Sequence, residues 1–525
     1  MSLRKLFKSN TDANIESEKV LVPCSNGSSF IQKNKMIFEI PNNHQFVSLR
    51  ECFVHFDVAL LNNTEGCELP KSGAQRLIKS VVIKIKNGKT LETINNYNIL
   101  ATYCSHYALT SGEKNSRSIT ELGEREQTDN GNNFDTKIIC NQFLQSYERG
   151  NAPTTDPKKP LKQRVVLKLW SKVFDNYDED VVYPNVFSPI QVHIELEDNV
   201  RALQVIPQLN PTDTSLTCKN AADLGGGNTS DIKIANDRAK GIDANENGME
   251  GHPFSVNGTI QFAEQGLQTN SRVITSCTMD GNVPDRVYKV GFATLNAPQY
   301  TTACILSSTT AAIANCTYRI TSPNLEVSVC KVPDTWRSSL VDLVSENKFR
   351  YNLKAVDNVQ VNVQSGATTF NNYINSNAMS VSAVLTIAND SQTSDTREND
   401  LIVGQYNTTG MDSYQYHYQN TNNPSIAVSL LKLQNGQVSQ QHLSELMKTN
   451  ENFWGTKSLH FHKTFFAFGR SFGVHSSAMR LTNKDLSNKV SVKSGTSLQN
   501  NQMYNNYLVK NIQLVVSKDG VEVVE

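Results

Sequence analysis

Cys52-Phe53-Val54-His55-Phe56-Asp57-Val58-Ala59-Leu60 decides the fold class. Cys52, Val54, Phe56, Val58 and Leu60 alternate with Phe53, His55, Asp57 and Ala59, so one face of a strand is apolar and the other mixed. Downstream, Val81, Ile83 and Ile85 alternate with Val82, Lys84 and Lys86 and run into Asn87-Gly88, the strongest short hairpin signal. Residues 89–94 then form the return strand. From Tyr97 the period changes: Tyr97, Leu100, Ala101, Cys104 and Ala108 predict a short helix ending before Ser111-Gly112. Two more strands follow, on Val165, Leu167 and Leu169 and on Val192, Ile194 and Leu196.

Between about 205 and 315 the composition shifts to Asn, Asp, Gly, Ser and Thr, with Gly225-Gly226-Gly227 inside it. This stretch reads as a long insertion with a few strands, around 259–262 and 288–292. Strand grammar then resumes. Leu325, Val327 and Val329 alternate with Glu326 and Ser328, and Pro333-Asp334 opens a helix carrying Trp336, Leu340, Leu343 and Val344. Further strands fall on Val359, Val361 and Val363, on Met379 to Ile387, and on Ile512, Leu514 and Val516, the last ending near Asp519-Gly520. A second short helix is predicted over 440–449. No tandem repeat of propeller or solenoid length is present. A coarse duplication is: strands with a short helix, a polar bridge, then strands with helices again. Two sandwiches with jelly-roll connections are the economical reading.

The 525 residues (58.4 kDa) leave room for two large β domains. Fifty Lys+Arg balance fifty Asp+Glu, so no global field draws the chain to nucleic acid or anionic lipid. No run matches the roughly 18 to 20 apolar residues of a membrane span, and Met1 to Ser9 lacks the apolar core of a signal peptide. The expectation is a soluble, non-secreted chain. Its ten cysteines form no Cys-x-x-Cys pair and no zinc spacing with His. Cys52 and Cys330 sit inside apolar segments, which suits reduced cysteines used as small hydrophobes. Sequons such as Asn26, Asn62 and Asn407 are expected to stay unmodified.

Candidate chemistry is sparse. Asp175-Asn176-Tyr177-Asp178-Glu179-Asp180 is the densest acidic run, but it lacks the Gly and Glu that a calcium loop requires at its sixth and twelfth positions. His460 and His462 share a strand face with no third zinc ligand in sight. Gly225-Gly226-Gly227-Asn228 lacks the Lys-Ser/Thr of a phosphate loop. Nothing resembles a nucleophile elbow or a Cys/His nucleophile pair, so no catalytic residue, metal ligand or cofactor is assigned, and the chain is read as a non-enzyme. Tyr414, Tyr416 and Tyr418 lie on one face, and Phe461, Phe465, Phe466, Phe468 and Phe472 crowd a short stretch. The phenylalanines read as core and the tyrosine stripe as an interface; a carbohydrate or single-strand nucleic-acid platform is the sharper alternative. Arg4, Lys5 and Lys8 beside Leu3, Leu6 and Phe7 form either a small amphipathic anchor or an arm that docks on a neighbour.

In order along the chain, several segments resemble the double jelly-roll major capsid proteins of tailless icosahedral double-stranded DNA viruses, the adenovirus-hexon lineage. Within it the resemblance is to the proteins of Polinton/Maverick elements, adintoviruses and virophages. Lys35-Met36-Ile37-Phe38-Glu39-Ile40-Pro41 followed by 49–60 resembles the family's opening strands. Residues 77–88 with Asn95-Asn96-Tyr97-Asn98-Ile99-Leu100 resemble its hairpin and first helix, and 183–190 into 193–197 the close of its first jelly roll. Residues 318–327 resemble the entry into the second jelly roll, 413–424 its extended peptide, and 472–485 with 514–520 its closing strands.

The resemblance implies an all-β chain of two consecutive jelly rolls. It comprises an N-terminal arm (1–30), a first jelly roll (31–204), a polar linker or loop tower (205–315) and a second jelly roll (316–525). It further implies a hexon-like homotrimer that tiles an icosahedral capsid beside neighbouring capsomers, minor or cement proteins and vertex (penton) proteins. The location would be the virion, after assembly in the host nucleus or cytoplasm. Three early cations neutralise only about three phosphates, so no sequence-specific nucleic acid is expected as a partner. The arm is the candidate contact to an inner membrane. The alternative function is a β-sandwich carbohydrate-binding or adhesion protein using the tyrosine stripe. A glycan-cleaving enzyme on paired jelly rolls would need convergent carboxylates that the sequence does not display.

Overall fold

On β4 (Val47–Leu61) the side chains of Cys52, Val54, Phe56 and Val58 are buried, whereas Phe53, His55 and Asp57 are only partly so. The computed structural model describes residues 16–44, 46–61, 67–70, 72–86, 88–123, 163–175, 183–186, 189–205, 229–234, 259–262, 271–280, 287–295, 306–308, 317–346, 349–374, 380–390, 411–418, 421–430, 439–455, 467–472, 479–480, 486–492, 501–517 and 520–524.

In the first half, β1 (Glu16–Pro23), β16 (Thr317–Lys331), β4 and β8 (Gln163–Lys168) form one antiparallel sheet in the order β1-β16-β4-β8, with β2 (Ser29–Phe30) also paired to β16. A second layer runs β3 (Lys35–Glu39), β9 (Ile190–Leu196), β6 (Ile78–Ile85), β7 (Thr90–Ile94). Val54, Phe56, Leu167 and Leu325 from the first layer share a core with Phe38, Ile83, Val192 and Ile194 from the second. The short strands β5 (Cys67–Glu68) and β10 (Gln204–Val205) pair at the side.

The second half repeats the plan. One layer is β17 (Phe349–Val363), β25 (Gln502–Ser517), β19 (Ser380–Asp390), β22 (Ala467–Ser471), with β23 (Met479–Arg480) on β19 and β26 (Gly520–Val524) on β25. The other is β18 (Thr369–Tyr373), β24 (Leu486–Val492), β20 (Met411–Tyr418), β21 (Thr421–Ser429). When the eight main strands of each half are numbered along the chain, both halves show the same two sheet orders, 1-8-3-6 and 2-7-4-5. That is the jelly roll, twice.

This topology bears on the domain boundary. The strand expected to open the second unit after 316 is β16, and it hydrogen-bonds between β1 and β4 as strand eight of the first jelly roll. Alternation reveals a strand but not its partner, and it is the resemblance that puts 318–327 at the entry to the second jelly roll. We propose that the halves divide within 332–348, which contains the helix Asp334–Ser345. The polar stretch thus interrupts the first jelly roll between strands seven and eight. It contains its own sheet, in the order β11 (Thr229–Ile234), β14 (Val287–Leu295), β13 (Ser271–Asp280), β12 (Thr259–Phe262), β15 (Leu306–Ser308). The strands expected at 259–262 and 288–292 are β12 and part of β14.

The helix expected at Tyr97 spans Tyr97–Tyr107, and Tyr97, Leu100, Ala101 and Cys104 are buried. A second helix, Ser111–Glu121, begins where the first was expected to end. Its start is a capping box: the Glu113 carboxylate accepts from the backbone amide and hydroxyl of Thr110, and the Thr110 hydroxyl accepts from the Glu113 amide. The helix Gln440–Trp454 outruns its expected end by five residues and closes on Gly455 at φ +71°.

Between the layers of the second half lies a buried polar ladder. Asn372 on β18 donates to Asn488 on β24 (2.7 Å), which donates to Asn506 on β25 (3.1 Å) and to the Thr386 hydroxyl on β19 (3.3 Å). Thr386 also donates to Asn506 (2.8 Å) and meets the Tyr416 hydroxyl at 3.1 Å. Asn488→Ala strands the Asn372 amide in the core and leaves the Asn506 side-chain oxygen with the Thr386 hydroxyl alone, a loss of about 1–3 kcal/mol, to be read by urea unfolding. Asn488→Asp is expected to be worse at neutral pH, since it puts a charge in an apolar sandwich.

Candidate functional site at the joint of the two halves

The two jelly rolls share a sheet. Strand five of the first half, β7, lies parallel beside strand one of the second, β17, through the pair Thr93 and Asp357, so eight strands run in one path from β22 to β3. At this seam Glu92 on β7 is completely buried. Its Oε1 accepts from the amides of Val356 (2.7 Å) and Lys172 (2.9 Å), and its Oε2 accepts from the Ser171 hydroxyl. Burial pushes the Glu92 carboxyl up to about 7, while the Ser171, Val356 and Lys172 hydrogen bonds and the charge of Lys510 hold it back. One carboxylate thus ties a strand and a loop of the first half to a strand of the second.

Further contacts extend the seam. Asn96 donates to Asn505 (2.8 Å), the Tyr507 hydroxyl donates to the Asn96 carbonyl (2.9 Å), and the Tyr103 hydroxyl donates to Asn450 (2.8 Å). Asn96 reaches this position in a left-handed conformation, at φ +49°, which Asn tolerates better than most residues. Trp170 and Trp454 meet edge to face at 4.9 Å, with the Lys172 ammonium 5.6 Å above Trp454, and Tyr183 meets Tyr351 at 5.4 Å. Strand β19 is consequently buried on both faces: Ala383, Leu385 and Ile387 join the core shared with the first half, and Val384 and Ala388 the core of the second. The seam joins the two units through a buried carboxylate, side-chain amides and packed rings, and its chemistry is cohesion.

The residues singled out from sequence fall into three groups. Tyr414 and Tyr416 correct the interface reading: both are buried, with their rings tilted against Phe468 in the second core, and only Tyr418 is partly exposed. Alternation grouped them on one face correctly but could not say that this face points inward. The carbohydrate platform loses its rings with them. Phe468 is core as expected, and Phe472 packs against it. Asp175 is buried and paired with Lys168 at 3.1 Å. The rest of the acidic run, His460 and His462, Phe461, Phe465, Phe466, Gly225 to Asn228, Asn62, Asn407 and the cations Arg4, Lys5 and Lys8 lie outside the described residues. Cys52, Cys104 and Cys330 are buried thiols outside any disulfide, and burial drives the Cys104 thiol well above its usual range.

One buried histidine escaped the sequence reading. His442, on the helix Gln440–Trp454, lies edge-on to Tyr414 at 5.8 Å, and burial pushes it down to about 3 from an ordinary 6.5. The folded chain keeps it neutral where an unfolded chain would protonate it. The stability this contributes is complete above pH 6.5 and is lost as pH falls toward 3. His442→Gln should flatten the acid limb of the stability profile by up to about 1.4 kcal/mol per pH unit, measured by denaturant unfolding across that window. An unchanged slope would assign the acid limb to other groups.

No family model matches the chain, and no curated protein matches it. Solved structures do match its fold. The VP54 protein of PBCV-1, as fitted into a reconstruction of the virophage Sputnik, aligns over 98% of this chain and 97% of its own with a TM-score of 0.50 and 10% identity. The Faustovirus major capsid protein aligns over 96% and 91% with a TM-score of 0.53 and 8% identity. The chain has the double jelly-roll fold of viral major capsid proteins.

Proposed function

We propose that this chain is the major capsid protein of a double-stranded DNA virus or virus-like element, and that three copies make a pseudo-hexagonal block of its icosahedral shell. The observation that carries the reading is the repeat itself. Two jelly rolls of identical strand order stand edge to edge on a shared sheet, with Glu92 and its partners welding them. A shell block needs rigid sandwiches with loops at their ends, and it needs no active site. The likeness in fold to the Faustovirus and PBCV-1 proteins supports the role.

On this reading the protein resides in the virion after assembly in the host nucleus or cytoplasm. Its partners are neighbouring capsomers, minor or cement proteins and vertex proteins, with the N-terminal arm (1–30) as the candidate contact to an inner membrane. A formal charge of zero leaves genome condensation to other components. Native mass determination with negative-stain imaging tests this. The expected result is a species of three times 58.4 kDa with a hexagonal end-on outline. A monomer at every concentration would overturn it.

A further inference from the structure

The two layers of the first jelly roll turn unlike faces outward. On the layer β1-β16-β4-β8 the charges are matched: Lys19 and His55 both reach Glu326, at 3.1 and 2.8 Å, and Arg164 reaches Asp57 at 3.1 Å. The layer β3-β9-β6 is left with cations to spare. Its two outward carboxylates are taken, Glu195 by Lys79 at 2.7 Å and Glu39 by Lys86. Lys35 and Lys84 lie on the same face, and among the described residues neither has an acceptor.

Strand register fixes the pattern these groups make. Lys35 stands opposite Glu195 and Lys84 opposite Gln191, and between those rows His193 stands opposite Ile37 on one side and Val82 on the other. Ile37, His193 and Val82 are each only partly buried. The four residues from Gln191 to Glu195 span about 14 Å of strand, so two unpaired ammonium groups flank an apolar row. His193 hydrogen-bonds only the Gln191 amide oxygen, at 3.4 Å, among the described residues. Burial, with the charges of Lys84 and Lys35, holds the ring below its ordinary 6.5. A carboxylate set beside the lysines would offset those charges and make the ring a third donor.

We propose that this face binds an extended acidic segment of a partner protein, with carboxylates at its residues i and i+4 on Lys35 and Lys84 and an apolar residue at i+2 over Ile37, His193 and Val82. In an extended peptide those three side chains point the same way, and i and i+4 are separated by the same length of strand as the two lysine rows. Phosphate would use the cations and leave Ile37 and Val82 uncovered, whereas such a peptide uses both. The inference rests on the capsomer reading, which calls for minor proteins, and it supplies a surface and a chemistry for one of them.

The test is fluorescence anisotropy of the full chain with two labelled peptides. Three Glu-Ser-Val-Ser repeats carry the pattern, and three Glu-Val-Ser-Ser repeats put Glu and Val on opposite faces. The first peptide is expected to bind saturably and the second more weakly. Lys35→Glu together with Lys84→Glu should raise the Kd of the first about tenfold or more, and the double Gln variant should fall between. A benzophenone in place of the central Val should link to β3, β9 or β6. No binding, equal binding of the two peptides, indifference to both double variants, or links elsewhere would overturn this surface. So would phosphatidylserine vesicles or duplex DNA that bind more tightly than the peptide and are lost in the same variants, since they assign the face to phosphate. Native mass determination on the same samples keeps the two readings apart. A trimer that ignores the peptide removes this surface alone, and a wild-type monomer removes the capsomer reading and this inference with it.

Discussion

Gly73→Ala is expected to leave almost no folded protein at 37 °C, the largest effect of any single methyl group in the described chain. Gly73 opens the 3-10 turn Gly73–Leu77 at φ +63°, a conformation that costs an L-residue roughly 1 kcal/mol or more. Space makes it worse. A Cβ there would lie 2.6 Å from the Gly123 amide nitrogen and 2.7 Å from the Leu122 carbonyl carbon, and closer still to the Glu121 carbonyl oxygen. All three are backbone atoms at the end of the helix Ser111–Glu121, so relief requires moving that helix. It is held by the Gln75 amide on Glu121 (3.0 Å) and by Arg117, which bonds Glu121 and lies 4.2 Å from the centre of the Trp170 ring. Conformational strain and overpacking together amount to several kcal/mol, comparable with the stability of a whole domain. Gly366→Ala is the control: it shares the positive φ, at +84°, but has nothing within 4 Å of the added methyl. It should cost only about 1 kcal/mol. Soluble yield and thermal melting of the two variants separate packing from dihedral strain, and similar melts would sink the argument.

Glu92→Ala is expected to unfasten the halves. The substitution leaves the Ser171 hydroxyl and the Val356 and Lys172 amides without their acceptor in a buried seam, a loss of about 3–5 kcal/mol. Because those donors belong to both halves, the loss should fall on cooperativity as well as stability. Wild-type unfolding in guanidinium is expected to be one transition, and the variant should show two, each with a smaller m-value. Glu92→Gln keeps one acceptor oxygen and should fall between them. The glutamine also removes a titration. The folded carboxyl stands above its ordinary 4.5, so its contribution to stability is full below pH 4.5 and is lost as pH rises through about 7. Wild-type stability should therefore decline across that window relative to Glu92→Gln. A single transition in Glu92→Ala with an unchanged midpoint would show that the aromatic and Asn96 contacts carry the joint alone.

Much of this architecture was open to reading from the sequence because strand alternation is a local signal. β4, β6, β9, β19 and β25 announce themselves through Val, Ile and Leu at every second position. The partner of β16 is not local. Its apolar residues look the same whether it pairs forward with β17 or backward across the insertion with β4, and only the three-dimensional closure decides. Asn372, Asn488, Asn505 and Asn506 hid for the opposite reason: asparagine usually marks turns, and here it fills a sandwich where amide meets amide. The helix Ser111–Glu121 did carry a local sign, the Thr110 to Glu113 box, which the neighbouring Gly112 masked. Asp519-Gly520 likewise signalled a hairpin and a return strand, β26, and not only an ending. The joint was least legible, because a glutamate flanked by Leu91 and Thr93 gives no hint that its partners lie some eighty and more than two hundred and fifty residues away.

The placement of β16 also sets a schedule for synthesis. Strand seven of the first jelly roll ends at Leu196, but strand eight, which must slot between β1 and β4, is not complete until Lys331. At roughly 5–20 residues per second, a nascent chain waits on the order of ten seconds with that slot open and the Val54 and Phe56 layer uncovered. The sheet of β11 to β15 emerges in the interval. The first half therefore cannot close until the whole insertion has been made and β16 has followed it out of the ribosome, and a chaperone that shields an open β edge would find its substrate there.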